Sequence, residues 1–190
     1  MLQLIEIGDP FTRAEVLDTL DKVQNHVARE FGSLSTEQFF YHTPGVWSAA
    51  ENLQHLITST DAVTRGLGFP KLVLRTRFGK ADQPSRHYAD VRQVYQTALA
   101  NGGAASGPFV PELDNHPADP QAEQSRLIQS WQESAAALVK AAQSWKDTDL
   151  DGIRLPHPLI GLLTVREMLL WNIYHDLHHL DDVRRLLETA

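Results

Sequence analysis

The sequence predicts an all-α fold, a four-helix bundle with a long, partly helical crossover in its middle. Three observations carry that expectation. Five stretches have helical character, with apolar residues repeating at the three- and four-residue spacing that lines one face of a helix. Three of them open on recognisable helix-start signals. No stretch reads convincingly as a strand.

The first helix is expected over residues 13–31, where Val16, Leu20, Val23 and Val27 share a face and Gly32 supplies the stop. The second opens on Ser48-Ala49-Ala50-Glu51, a capping box in which the serine oxygen accepts one free N–H and the glutamate reaches back to another. Trp47 precedes it as a hydrophobic staple or a core residue, and Gly66 and Gly68 end it after about residue 65. Residues 71–78 read as a short helix and 79–86 as a polar loop, with the third main helix starting at Ser85 or Asp90 and reaching about 99. Residues 101–120 are rich in Gly, Pro, Ala and Asp and read as a long surface loop, either functional or a tolerated insertion. Asp119-Pro120-Gln121 then sets a cap and an N1 proline before an amphipathic helix to about 145, whose apolar face is Leu127, Trp131, Leu138 and Val139. Pro156 and Pro158 predict extended chain over 147–161, and Thr164 with Glu167 forms a second box opening the last helix, 164–188. Internal repeats, heptads and low-complexity tracts are absent from the sequence.

A chain of 190 residues is enough for one domain, 1–190, to bury a core without disulfides or metal staples. The formal net charge of −7, with 17 scattered basic residues, argues against nucleic-acid binding, which needs clustered Lys and Arg. The lack of cysteine excludes disulfides, Cys-ligated zinc and a cysteine nucleophile. The first ten residues carry Glu6 and Asp9 in place of a basic start and an apolar stretch, and no apolar run approaches spanning length. A cytoplasmic protein without membrane or nucleic-acid partners is the expectation.

Chemistry enters with the nine histidines. His26, His42, His87, His116 and His157 occur singly and are expected mostly at the surface, with His157, between two prolines, serving the turn. The last helix differs, because it carries His175-Asp176-Leu177-His178-His179. Positions 175 and 179 lie about 40° apart and one turn above each other, so two imidazoles can reach one ion. His178 points about 60° away from His175. Met168 and Leu186 share the face of the pair, and the arc of Val165, Leu169, Ile173, Leu180 and Leu187 begins beside it. A hydrogen-bonded pair of core histidines is the alternative, and it requires a buried partner for each ring.

The run also fits His-[Asp/Glu]-x-x-His, the pattern of zinc proteases. There a glutamate is the general base and a further ligand lies downstream. Here the acid is the shorter Asp176, and no histidine follows His179, so a third ligand has to come from upstream. His55 is the candidate, yet its own wheel position, beside Asn52, Ser59 and Ala62, is a small polar face that lines a pocket or meets water, and taken by itself it favours water.

Two segments, Trp47-Ser48 through His55-Leu56 and His157-Pro158-Leu159-Ile160-Gly161-Leu162-Leu163-Thr164 through His175–His179, resemble the DinB-like superfamily of helical-bundle metalloproteins in order and separation. The resemblance implies a four-helix bundle, often a homodimer, with zinc, nickel or another divalent ion on three histidines, which fall here on His55, His175 and His179. The family often has a glutamine three residues after its last ligand, where this chain has Asp182. That carboxylate shares the ligand face, as a weak ligand, an orienter of His179 or a catalytic base, or else it is a surface aspartate.

Three histidines leave a coordination position for water or a small-molecule substrate. The resemblance implies a metal-dependent thiol S-transferase or detoxification enzyme using a low-molecular-weight thiol. A metal-dependent hydrolase, assisted by Asp182 or Asp176, and a non-catalytic metal-binding stress protein are the alternatives.

Overall fold

A computed structural model describes residues 2, 3 and 5–189. In chain order it comprises α1 (Arg13–Gly32), α2 (Thr36–Phe40), α3 (Ala49–Leu67), α4 (Lys71–Phe78), α5 (Tyr88–Ala100), a 3₁₀ turn (Gly107–Phe109), α6 (Pro120–Gln143), α7 (Asp147–Gly152), β1 (Arg154–His157), β2 (Gly161–Thr164) and α8 (Val165–Glu188). Reciprocal capping boxes fix the starts of α1, α2, α3 and α8, on Thr12/Glu15, Ser35/Gln38, Ser48/Glu51 and Thr164/Glu167. Each box satisfies two backbone donors that a helix start leaves free. Asp119 caps α6 through the Ala122 N–H, with Pro120 at the first helical position.

The long helices α1, α3, α6 and α8 close a ring in which α1 and α3 each pack on both α6 and α8. This is the expected four-helix bundle. Its interior is filled by Val16, Leu20, Val23 and Phe31 of α1, Leu53 and Leu56 of α3, Leu127, Trp131 and Leu138 of α6, and Ile173, Leu180 and Val183 of α8. The Trp131 indole N–H donates to the Gln24 carbonyl at 3.2 Å, so this fully buried side chain has its polar atom satisfied. The crossover from α3 to α6 carries α4, α5 and the 3₁₀ turn, with α5 laid against α8 and α4 against β1. No described helix is long and apolar enough to cross a membrane.

The segment 147–161, expected to be extended, departs from this over residues 147–152, which are helical, and is extended over 154–157. It holds α7 and β1, and β1 pairs antiparallel with β2 in the register Arg154↔Thr164 to His157↔Gly161. Ion pairs remote in sequence stabilise this corner. Asp149 meets Lys71 at 2.7 Å and Arg75 at 3.0 Å, and the buried Arg166 reaches Asp147 and Asp151. Gly161, at φ +78°, lets the hairpin turn back into α8. The third main helix starts at Tyr88, between the two anticipated starts, and the short α2 was not anticipated.

Candidate metal centre

The start of α3 and the middle of α8 face each other across the bundle and bring His55, His175 and His179 together. His175 Nε2 lies 3.0 Å from His55 Nε2 and 3.1 Å from His179 Nε2, and all three rings are buried. One nitrogen from each falls within a 4.8 Å cluster. The solvent option for His55 is corrected here: Asn52, His55 and Ser59 are all buried, because this small polar face lines the cluster.

Outer hydrogen bonds decide where two of the ring protons sit. A carbonyl only accepts, so the His55 Nδ1–H donates to the Phe109 carbonyl at 2.7 Å. Asn52 spends its NH₂ group on the Trp47 and Ser48 carbonyls, which leaves its Oδ1 to accept from the His179 Nδ1–H at 2.7 Å. Burial pushes all three histidines below their usual range, His175 and His179 far below it, with neighbouring histidine charge adding to the effect. For His55 the Phe109 carbonyl partly opposes this shift. The rings are therefore neutral at pH 7, and the His55 and His179 lone pairs converge on His175.

That convergence is the test of fit for a cation. A single proton on His175 Nε2 can serve only one of two facing lone pairs, whereas an ion bonded at about 2.0–2.1 Å satisfies all three. Nitrogens sharing such an ion tetrahedrally sit roughly 3.3 Å apart, close to the observed separations. His175 differs from its partners: its Nδ1 is buried with no partner among the described residues. Both Asp176 oxygens are likewise buried without partners, and burial drives that carboxyl well above its ordinary range.

Asp182 stands outside the cluster. Its carboxylate is 4.0 Å from His179 Nδ1 and 3.4 Å from His178 Nε2, on the outward side of the His179 ring where Asn52 is the nearer partner. Burial raises its pKa, opposed by the charge of His178. Among the single histidines, His42, His87 and His116 are exposed as expected, while His26 is buried against Gln3 and Arg29. His157 is also buried, and its Nδ1 accepts the Leu159 and Ile160 N–H groups, which is the expected turn role.

The cluster opens into a cavity of about 850 Å³ walled by α3, α4, α5, the loop before the 3₁₀ turn, the hairpin and α8. Trp47 covers one side, with its ring 5.1 Å from that of His55 and 6.1 Å from that of His179. Trp171 stacks on His175 at 4.5 Å. Asn52 and the Phe109 carbonyl are the site groups that sequence reasoning missed. Asn52 lies three residues before His55 on the same polar face, which is a usable signal; a backbone carbonyl in a loop leaves none. The 101–120 loop thus anchors a histidine and lines the cavity.

The family model described as the DinB superfamily matches residues 19–183, and the chain belongs to that superfamily. No curated protein matches the chain significantly.

Proposed function

We propose that this member of the DinB superfamily binds one divalent metal ion through His55, His175 and His179 and acts as a metal-dependent enzyme of the thiol S-transferase or detoxification type. The observation carrying the metal reading is the convergence of neutral imidazole nitrogens at the end of a cavity, two of them with protons held on the outer nitrogen. Zinc or nickel suits a set of three imidazoles. When bound, such an ion favours a thiolate over its thiol and brings an attached water toward a pKa of roughly 7.

The chain's own residues supply position and shielding. Phe109 and Asn52 lock the tautomers of His55 and His179, Trp47 and Trp171 keep water from the flanks of the cluster, and the cavity receives a small molecule beside it. A low-molecular-weight thiol and an electrophile are the substrates of this reading. A hydrolase is the second reading, supported by Asp182, which lines the same cavity and would accept a proton at its edge. A homodimer and a cytoplasmic location complete the proposal.

Elemental analysis of the purified protein and of His55→Ala, His175→Ala and His179→Ala tests the site. Each variant should lose bound metal, and stoichiometric metal retained in all three would end the proposal. Turnover of electrophiles with bacillithiol, mycothiol or glutathione separates the readings: activity that needs a thiol supports the transferase, and thiol-independent ester or amide cleavage abolished in Asp182→Asn supports the hydrolase. Metal that is structural and non-catalytic would show as global unfolding on chelation with no turnover.

A further inference from the structure

His157 closes β1 and lines the cavity. Its Nδ1 lone pair is taken by the Leu159 and Ile160 N–H groups at 3.1 and 3.3 Å. Burial holds the ring neutral, with its pKa lowered to about 4. A neutral imidazole accepting at Nδ1 carries its proton on Nε2, so the turn itself fixes this tautomer. The Nε2 has no hydrogen-bond partner among the described residues and is not among the side-chain atoms sealed from solvent. His157 lines the cavity, so the free N–H is offered there.

Its neighbours place it on the same wall as the metal centre. The Trp171 ring lies between His157, at 4.4 Å, and His175, at 4.5 Å, and Tyr95 touches both histidines edge-on at 5.8 and 6.0 Å. The remaining wall is mainly apolar, including Phe78, Leu99, Phe109, Leu155, Leu159 and Met168. The charged side chains lining it, Arg65 and Asp182, are exposed and half-buried, and sit at its margins. A cavity of about 850 Å³ has the size and lining of a site for a drug-sized molecule, in which a few placed polar groups set orientation.

We infer that the cavity takes an uncharged, largely apolar small molecule carrying a hydrogen-bond acceptor, and that His157 Nε2–H holds this acceptor and so orients the molecule toward the three-histidine cluster. His157 is a specificity and positioning residue. The inference deepens the proposed site, and it rests on that reading for what happens to the molecule once bound. In the metal-free cavity an anion is disfavoured, because the wall would strip its hydration and holds no buried lysine or arginine to replace it. A purely hydrocarbon molecule would leave the His157 donor unpaired.

The test uses the full chain at pH 8 and a matched set of naphthalenes: 6-propionyl-2-(dimethylamino)naphthalene, which is neutral with a ketone acceptor; 2-(dimethylamino)naphthalene, which lacks the ketone; and 6-(dimethylamino)-2-naphthoate, which is anionic. Fluorescence titration measures all three on chelator-treated protein and the neutral pair on untreated protein. The ketone should bind at least roughly tenfold tighter than the naphthoate, the cost expected for desolvating a charge at an unpaired site. In His157→Asn the side-chain oxygen still accepts the turn N–H groups, as in an Asx turn, but the Nε2 donor is gone. This variant should bind the ketone roughly five- to tenfold more weakly, the loss of one neutral hydrogen bond, and the ketone-free probe unchanged. Ala105→Trp, at the loop wall, should weaken both neutral probes.

Naphthoate binding as tight as ketone binding would overturn the inference, as would equal losses of both neutral probes in a His157→Asn variant with a native circular dichroism spectrum. Metal content, measured separately, keeps the two readings apart. Probe binding without stoichiometric metal in the untreated protein sinks only the metal reading, and full metal without probe binding sinks only the apolar-ligand inference.

Discussion

Replacing Asn52 by Ala removes the acceptor for the His179 Nδ1–H at 2.7 Å, in a place where the asparagine is only 2% exposed and water has little access to substitute. In the metal-free protein this leaves a buried donor unpaired, at a cost of about 1–3 kcal/mol in folding stability. Metal affinity changes only by the difference between the two states. A bound ion polarises the imidazole and makes its N–H a charge-assisted donor, roughly twice as strong as a neutral one. The interaction lost on binding is then about 1–1.5 kcal/mol, or roughly tenfold in affinity, at the lower end of what loss of such outer partners costs. Competition of the protein against a chromophoric chelator at pH 7.5 measures this, with thermal melting followed by circular dichroism to confirm the fold. His178→Ala is the control, since His178 neighbours the ligands in sequence but lies outside their cluster. A folded Asn52→Ala protein with metal affinity within about twofold of the parent would refute the argument that the outer hydrogen bond tunes the site.

Acid should destabilise the metal-free protein. His55, His157, His175 and His179 all titrate below the ordinary 6.5 because of burial, so the unfolded chain binds protons that the fold resists. Their stabilisation is complete above pH 6.5 and is lost as pH falls below it, for His157 down to about 4; a urea midpoint that stays flat between pH 8 and 5 would contradict this. Asp176 works in the opposite direction, since its raised pKa costs stability as pH climbs above the ordinary carboxyl value near 3.8. Asp176→Asn should therefore raise the melting temperature at pH 7.5, by an amount that shrinks toward pH 4; an equal gain at both ends would show that the carboxyl charge is not responsible. Trp131→Ala empties the largest fully buried site in the bundle and removes the bond to Gln24, and should cost about 3–5 kcal/mol in chemical denaturation without altering the three-histidine cluster. A loss under about 1 kcal/mol would mean that the bundle collapses around the gap.

The sequence by itself determined the long helices and half of the centre, because both are local. A capping box such as Ser48/Glu51 or Thr164/Glu167 spans four residues, and the apolar face of α1 repeats within one helix, so the chain states them without reference to anything distant. His175 and His179 meet for the same reason: one helical turn separates them. Family resemblance pointed to His55, but its own helix favoured water, since a polar face does not reveal whether solvent or other polar groups will satisfy it. Tertiary structure decided that question by placing α3 against α8 and supplying a carbonyl from the 101–120 loop. The α7–β1–β2 corner was hidden for a related reason, because ion pairs from Lys71, Arg75 and Arg166 hold residues whose local preferences, read with two prolines, suggested only extended chain. His157 combines both levels. Its place in a proline-flanked turn was readable locally, whereas its place on the wall of a cavity shared with four other histidines exists only once the hairpin has folded onto the last helix.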